Sequence, residues 1–110
     1  MKKIDFMKEN DIIIFAEYNI EQKNFSIEKI DGDLEYYSLF DELIFNTKNY
    51  DNLDIKILPH IWKQGNTICV MSKPNENILV FLFYDNMENY DINYDFSIEL
   101  DDKINKMYNS

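Results

Sequence analysis

The sequence predicts an α+β fold, a central antiparallel sheet of about five strands with helices packed on it. Three observations carry this. The chain has 110 residues, the length of one domain (1–110), and a chain of this size buries roughly two thirds of the surface its unfolded form exposes. Hydrophobic residues make up 45% and aromatic residues 15%, too rich a composition for a disordered chain. Short β-branched and aromatic runs alternate with polar turns, and longer segments repeat apolar residues at helical spacing.

The elements follow in order. Lys2 to Lys8 reads as a short helix with a poor apolar stripe. Asp11 to Tyr18 contains Ile12-Ile13-Ile14-Phe15-Ala16, a β-branched run that suits a buried strand. Asn19 to Asn24 is polar and turns the chain into a second strand, Phe25 to Ile30, which Asp31-Gly32 ends. Leu34 to Asn49 carries Tyr36, Phe40, Leu43, Ile44 and Thr47 at helical spacing, with Asp33 as N-cap. Two alternatives stay open there: a later start at Ser38, or Tyr36-Tyr37 extending a hairpin across Asp31-Gly32. Ile55 to Leu58 starts a strand that Pro59 confines to an edge or bulge, and Ile61-Trp62-Lys63 continues it. After the turn Gln64-Gly65-Asn66, Thr67 to Ser72 and Ile78 to Tyr84 are strands joined by a turn over Lys73 to Asn77. In the last segment Tyr90, Ile92, Tyr94, Phe96, Ile98 and Leu100 alternate with polar residues, as in a strand, while Phe96, Leu100, Ile104 and Met107 mark a helix face. Asp and Asn disfavour strands, so a helix from about Asp95 to Tyr108 is predicted, preceded by extended residues.

Charge excludes several functions. Acidic residues number 21 and basic residues 11, all of them lysine, for a net charge of −10. Such a surface repels phosphate backbones and anionic membranes, so neither nucleic acid nor membrane is an expected partner. Without arginine there is no bidentate phosphate fork and no arginine finger. Lysine is absent from Pro74 to Asp102, a stretch that holds eight carboxylates, among them Asp91, Asp95, Asp101 and Asp102. Such a stretch either attracts a basic partner or only keeps the protein soluble. The longest strongly apolar run, Ile78 to Tyr84, is far too short to span a bilayer, and no signal peptide opens the chain, so a soluble, cytoplasmic protein is expected.

No catalytic motif appears. His60 is the only histidine, with no serine or second histidine close in sequence to form a catalytic set. Cys69 is the only cysteine, which excludes an internal disulfide and a cysteine-rich metal site; between Ile68 and Val70 it reads as a small buried hydrophobe. A pairing of Cys69 with His60 across neighbouring strands stays open. Asp31-Gly32-Asp33 lacks the distal ligands of a calcium loop and reads as a turn with an N-cap. Neither metal nor cofactor is expected. Trp62, Tyr36, Tyr37 and Tyr50 suit either an interface or the core.

The second half of the chain resembles the roadblock/dynein light chain domain, itself similar to profilin and longin folds. The residues that carry the resemblance are Gly65-Asn66-Thr67-Ile68-Cys69-Val70-Met71, Asn77 to Phe83, and Ile98-Glu99-Leu100-Asp101-Asp102-Lys103-Ile104, within an element order that covers Asp11 to Tyr108. The resemblance implies a non-enzymatic binding module that forms a homodimer or pairs with a related chain, and docks a small Ras-like GTPase or a scaffold. It places the pairing at the second strand and following helix, Phe25 to Ile30 and Tyr36 to Thr47, so that Phe25, Ile27, Tyr36, Tyr37 and Phe40 are partner-binding candidates, to which Trp62 is added as an aromatic interface anchor. An alternative reading is an acidic inhibitor, an immunity or anti-defence protein that covers a basic effector or toxin with Asp91, Asp95, Asp101 and Asp102.

Overall fold

The computed structural model describes residues 3–30, 60–85 and 89–109, without the side chains of His60, Trp62, Gln64 and Tyr90. Helix α1 (Lys3–Glu9) leads into strands β1 (Ile14–Asn19) and β2 (Asn24–Lys29). Strands β3 (His60–Gln64), β4 (Thr67–Asn75) and β5 (Ile78–Asp85) follow, then helix α2 (Tyr90–Asn109). The five strands form one sheet in the order β2-β1-β5-β4-β3, every neighbouring pair antiparallel. This is the α+β architecture expected. The helix expected over Leu34–Asn49, the strand start at Ile55–Leu58, Pro59 and the Asp31-Gly32-Asp33 turn lie outside the described residues.

Local chemistry sets the turns. Helix α1 ends with the Ile12 amide donating to the Met7 carbonyl at 2.9 Å, six residues closing the last turn, while Asp11 takes a left-handed φ of 57°. That turn delays β1 to Ile14, so the expected strand start at Asp11 moves three residues on. Gln64 pairs with Thr67, leaving Gly65-Asn66 as a two-residue hairpin loop, and Gly65 supplies the positive φ of 60° that such loops need. The expected turn over Lys73 to Asn77 is shorter. Strand β4 runs on to Asn75, with a register shift between Ser72 and Asn75, and the loop is only Glu76-Asn77. Pro74 lacks an amide for the ladder, and the irregularity accommodates it without ending the strand.

Helix α2 starts five residues before the expected Asp95. The Asn89 carboxamide oxygen accepts the Ile92 amide at 2.9 Å, a helix N-cap, and Asp91 favours the positive end of the helix dipole. Residues 90–94 are therefore helical rather than extended.

The sheet buries both faces. Alternate residues Phe15, Ile68, Val70, Val80, Leu82 and Tyr84 meet Phe6 and Met7 of α1 and Leu100 and Ile104 of α2. Ile14, Ala16, Tyr18, Cys69, Met71, Leu79, Phe81 and Phe83 form the other buried face, with Phe25 packed against them. Polar links hold the C-terminal half of α2 to the sheet: Ser72 Oγ donates to Asp101, Asn109 to the Pro74 carbonyl at 3.0 Å, and the Tyr108 hydroxyl to Glu17. Lys3 pairs with the same Glu17 at 3.1 Å, and Lys103 donates at 2.7 Å to Asn10 at the end of α1.

One hydroxyl in this core is costly. Tyr84 is buried, its ring edge-on to Phe96 at 5.0 Å, and its hydroxyl has no hydrogen-bond partner among the described residues. Leaving such a group unpaired costs about 1–3 kcal/mol. Tyr84→Phe is accordingly expected to raise the urea midpoint at neutral pH with an unchanged m-value; a lower midpoint would show that the hydroxyl is satisfied.

Candidate partner-binding surfaces

The sheet order leaves β2 and β3 at the two edges, since no described strand pairs with their outer sides. On β2 the burial is graded. Phe25 is half-buried, its ring 4.8 Å from Tyr18 and 6.1 Å from Phe81, so part of this interface candidate serves the core. Ile27, opposite Ala16, is 45% exposed, and Ile30, just past the strand, is 44% exposed. An edge strand that carries exposed β-branched residues offers apolar contact to another chain. Trp62 lies on the other edge, in register with Cys69. Tyr36, Tyr37, Phe40 and Tyr50 lie outside the described residues.

The acidic candidates separate. Asp91, Asp95 and Asp102 are exposed on the outer side of α2, whereas Asp101 is half-buried and accepts the Ser72 hydroxyl. Glu99 and Asp102 are paired along the helix with Lys103 at 3.1 Å and Lys106 at 2.9 Å. Asp91 and Asp95 have no cationic partner among the described residues. Beside them stand Tyr94 and Ile98, which sequence reasoning did not single out; the alternation of apolar residues through Tyr90–Leu100 was the signal that could have found them.

The register does not set the two groups considered for catalysis opposite one another. Register places His60 opposite Met71 and Trp62 opposite Cys69. Cys69 is fully buried, and loss of hydration pushes its thiol well above the usual value, so it holds its proton and is no nucleophile. An open cleft of about 530 Å³ lies between the end of α1, the lead into β1 and α2, with Ile12, Ile30, Tyr84 and Phe96 among its walls; the buried Cys69 is not one of them. Among the described residues no three His, Cys, Asp or Glu side chains converge on a point that could hold a metal. No described helix is long and apolar enough to cross a membrane.

No family model matches the sequence, and no curated protein sequence does. Among solved structures, Myxococcus xanthus MglB is similar over 96% of this chain and 89% of its own, with a TM-score of 0.58 and 12% identity. At that identity the likeness is one of fold, and the chain has the roadblock/longin-like fold that its second half resembles.

Proposed function

We propose that the chain is a non-catalytic protein-binding module of the roadblock type, which pairs with a second copy or a related chain and, so paired, docks a small Ras-like GTPase. The observation that carries this reading is the fold, matched over nearly the whole chain, in an order that leaves β2 at an edge. Pairing through Ile27 and the segment with Tyr36, Tyr37 and Phe40 would extend the sheet and cover apolar surface that β2 exposes to water. Docking needs only complementary surfaces, which fits a chain that has no arginine to serve as a finger and whose one cysteine is buried and protonated.

Sedimentation velocity over a concentration series tests the pairing. A dimer is expected, and Ile27→Asp, which sets a charge into the joined edge, is expected to weaken it about tenfold or more. A monomer at every concentration would overturn the pairing. Mixing the chain with Ras-like GTPases of the same cell, loaded with GDP or with a non-hydrolysable GTP analogue, tests the partner. Co-elution that depends on the nucleotide is expected; no complex with any of them would remove the GTPase from the proposal.

A further inference from the structure

Three of the five large hydrophobic residues exposed in the described structure stand on α2: Ile92 at 44%, Tyr94 at 46% and Ile98 at 43%. None of the three belongs to the buried core clusters. Alternation with period two cannot fall on one side of a helix, so once α2 forms, Ile92, Tyr94 and Ile98 are turned outwards while Phe96 and Leu100 pack inwards. Tyr94 and Ile98 are four apart and adjacent on the helix surface. Ile98 has Asp95 one turn before it and Asp101 and Asp102 one turn after; Tyr94 has Asp91 one turn before it. The patch is thus apolar at its centre and rimmed with carboxylates, two of which, Asp91 and Asp95, lack a cationic partner among the described residues.

We infer that the outer face of α2 is a docking surface for a basic amphipathic helix, whose apolar side chains cover Tyr94 and Ile98 and whose lysines or arginines meet Asp91, Asp95 and Asp102. Charge selects this occupant. A second copy laid antiparallel on the same face would need lysines opposite Asp91 and Asp95. Lys103, however, is tied inward to Asn10 and to Glu99, and Lys106 is engaged by Asp102. An anionic membrane is repelled by the same carboxylates. A cationic helix gains apolar burial at the centre and steered approach from the rim. This surface is separate from the β2 edge and stands whether or not the chain dimerises there.

The probe is an amphipathic Leu/Lys helical peptide of about 18 residues, with a scrambled peptide of equal composition and charge as control. Binding is read by fluorescence anisotropy. The amphipathic peptide is expected to bind about tenfold or more tightly than the scrambled one. Tyr94→Ser with Ile98→Ser, and separately Asp91→Asn with Asp95→Asn, are each expected to remove that advantage, while the charge-matched Glu21→Gln with Glu28→Gln leaves it. Unchanged thermal midpoints establish that the α2 variants stay folded, as expected for exposed positions. Equal binding of both peptides, or equal loss in the Glu21/Glu28 variant, would reduce the effect to net charge and overturn the inference. So would self-association that the Tyr94/Ile98 pair of changes abolishes, since the face would then belong to a second copy. Failure of the Ile27→Asp experiment leaves this one unaffected, and the reverse holds too.

Discussion

Phe81→Ala is expected to cost about 3–5 kcal/mol, a large share of a total domain stability of the order of 5–15 kcal/mol. Phe81 sits in β5, which has a neighbour on both sides, opposite Ala16 on β1 and Met71 on β4. Its side chain is buried at the centre of the face formed by Tyr18, Cys69, Met71, Leu79 and Phe83, with the Phe25 ring 6.1 Å away. The small Ala16 across the ladder cannot expand into the space that a lost ring leaves, so a cavity persists and adds to the lost transfer energy. Ile27→Ala is the matched control: it alters the same sheet face at the exposed edge and is expected to stay within about 0.5 kcal/mol. Urea titration of both variants checks the contrast. Comparable losses would mean that the β2 edge is as well packed as the sheet centre, and the case for Ile27 as a contact for another chain would go with it.

That contrast follows the parts of the fold that were readable in advance. Strand β5 is a run of seven apolar residues, Ile78 to Tyr84, too short for a buried helix and rich in β-branched and aromatic side chains, so its place inside the sheet is a direct consequence of composition. The β1–β2 hairpin was equally plain, since the polar stretch from Asn19 to Asn24 separates two runs with strand texture. Besides the start of β1, two boundaries were misread for identifiable reasons. Pro74 resembles a turn residue, but a local register shift lets a strand pass through it. In α2 the period-two alternation competed with the helical period, and the helix face Phe96, Leu100, Ile104 and Met107 spoke only for the later half; the Asn89 cap, one side-chain oxygen on one amide, fixed the earlier start. Asn89 followed by Asp91 in the first turn is the helix-start signal that was present in the sequence.

The binding surfaces were readable only in part. An edge position cannot be seen in a strand's own sequence, because it depends on which strand lies beside which. Ile27 could be named from a family resemblance, yet its exposure follows from the order β2-β1-β5-β4-β3. The acidic run was visible as charge, but not its division into Asp101, held by Ser72, and Asp91 and Asp95, which face outwards. That division depends on the rotation of α2 about its axis, which Leu100 and Ile104 set by packing on the sheet.

The same packing makes the fold intolerant of alkali. Cys69, Tyr84 and Tyr108 all hold their protons more tightly in the folded chain than free in water. Burial does this at Cys69. At Tyr84 burial acts first and the proximity of Cys69 second, above the usual value of 10.0. At Tyr108 burial acts first, then the hydrogen bond to Glu17 and that carboxylate's charge. The unfolded chain releases these protons near the ordinary values, 9.0 for the thiol and 10.0 for the phenols, while the folded chain still keeps them. In that window the folded state binds more protons, so stability is intact below about pH 9 and falls as pH rises. Each group contributes about 1.4 kcal/mol per pH unit, and with all three engaged the slope above pH 10 approaches about 4 kcal/mol per unit. A domain of ordinary stability then unfolds within roughly one to three units above pH 10. Urea titrations at intervals between about pH 8 and pH 11 measure the slope. Tyr84→Phe and Tyr108→Phe should each remove about a third of it. They should differ at neutral pH, where Tyr84→Phe gains stability and Tyr108→Phe loses the bond to Glu17. A stability that stays level through about pH 11 would mean that water reaches these hydroxyls, and α2 would then not be seated on the sheet as described.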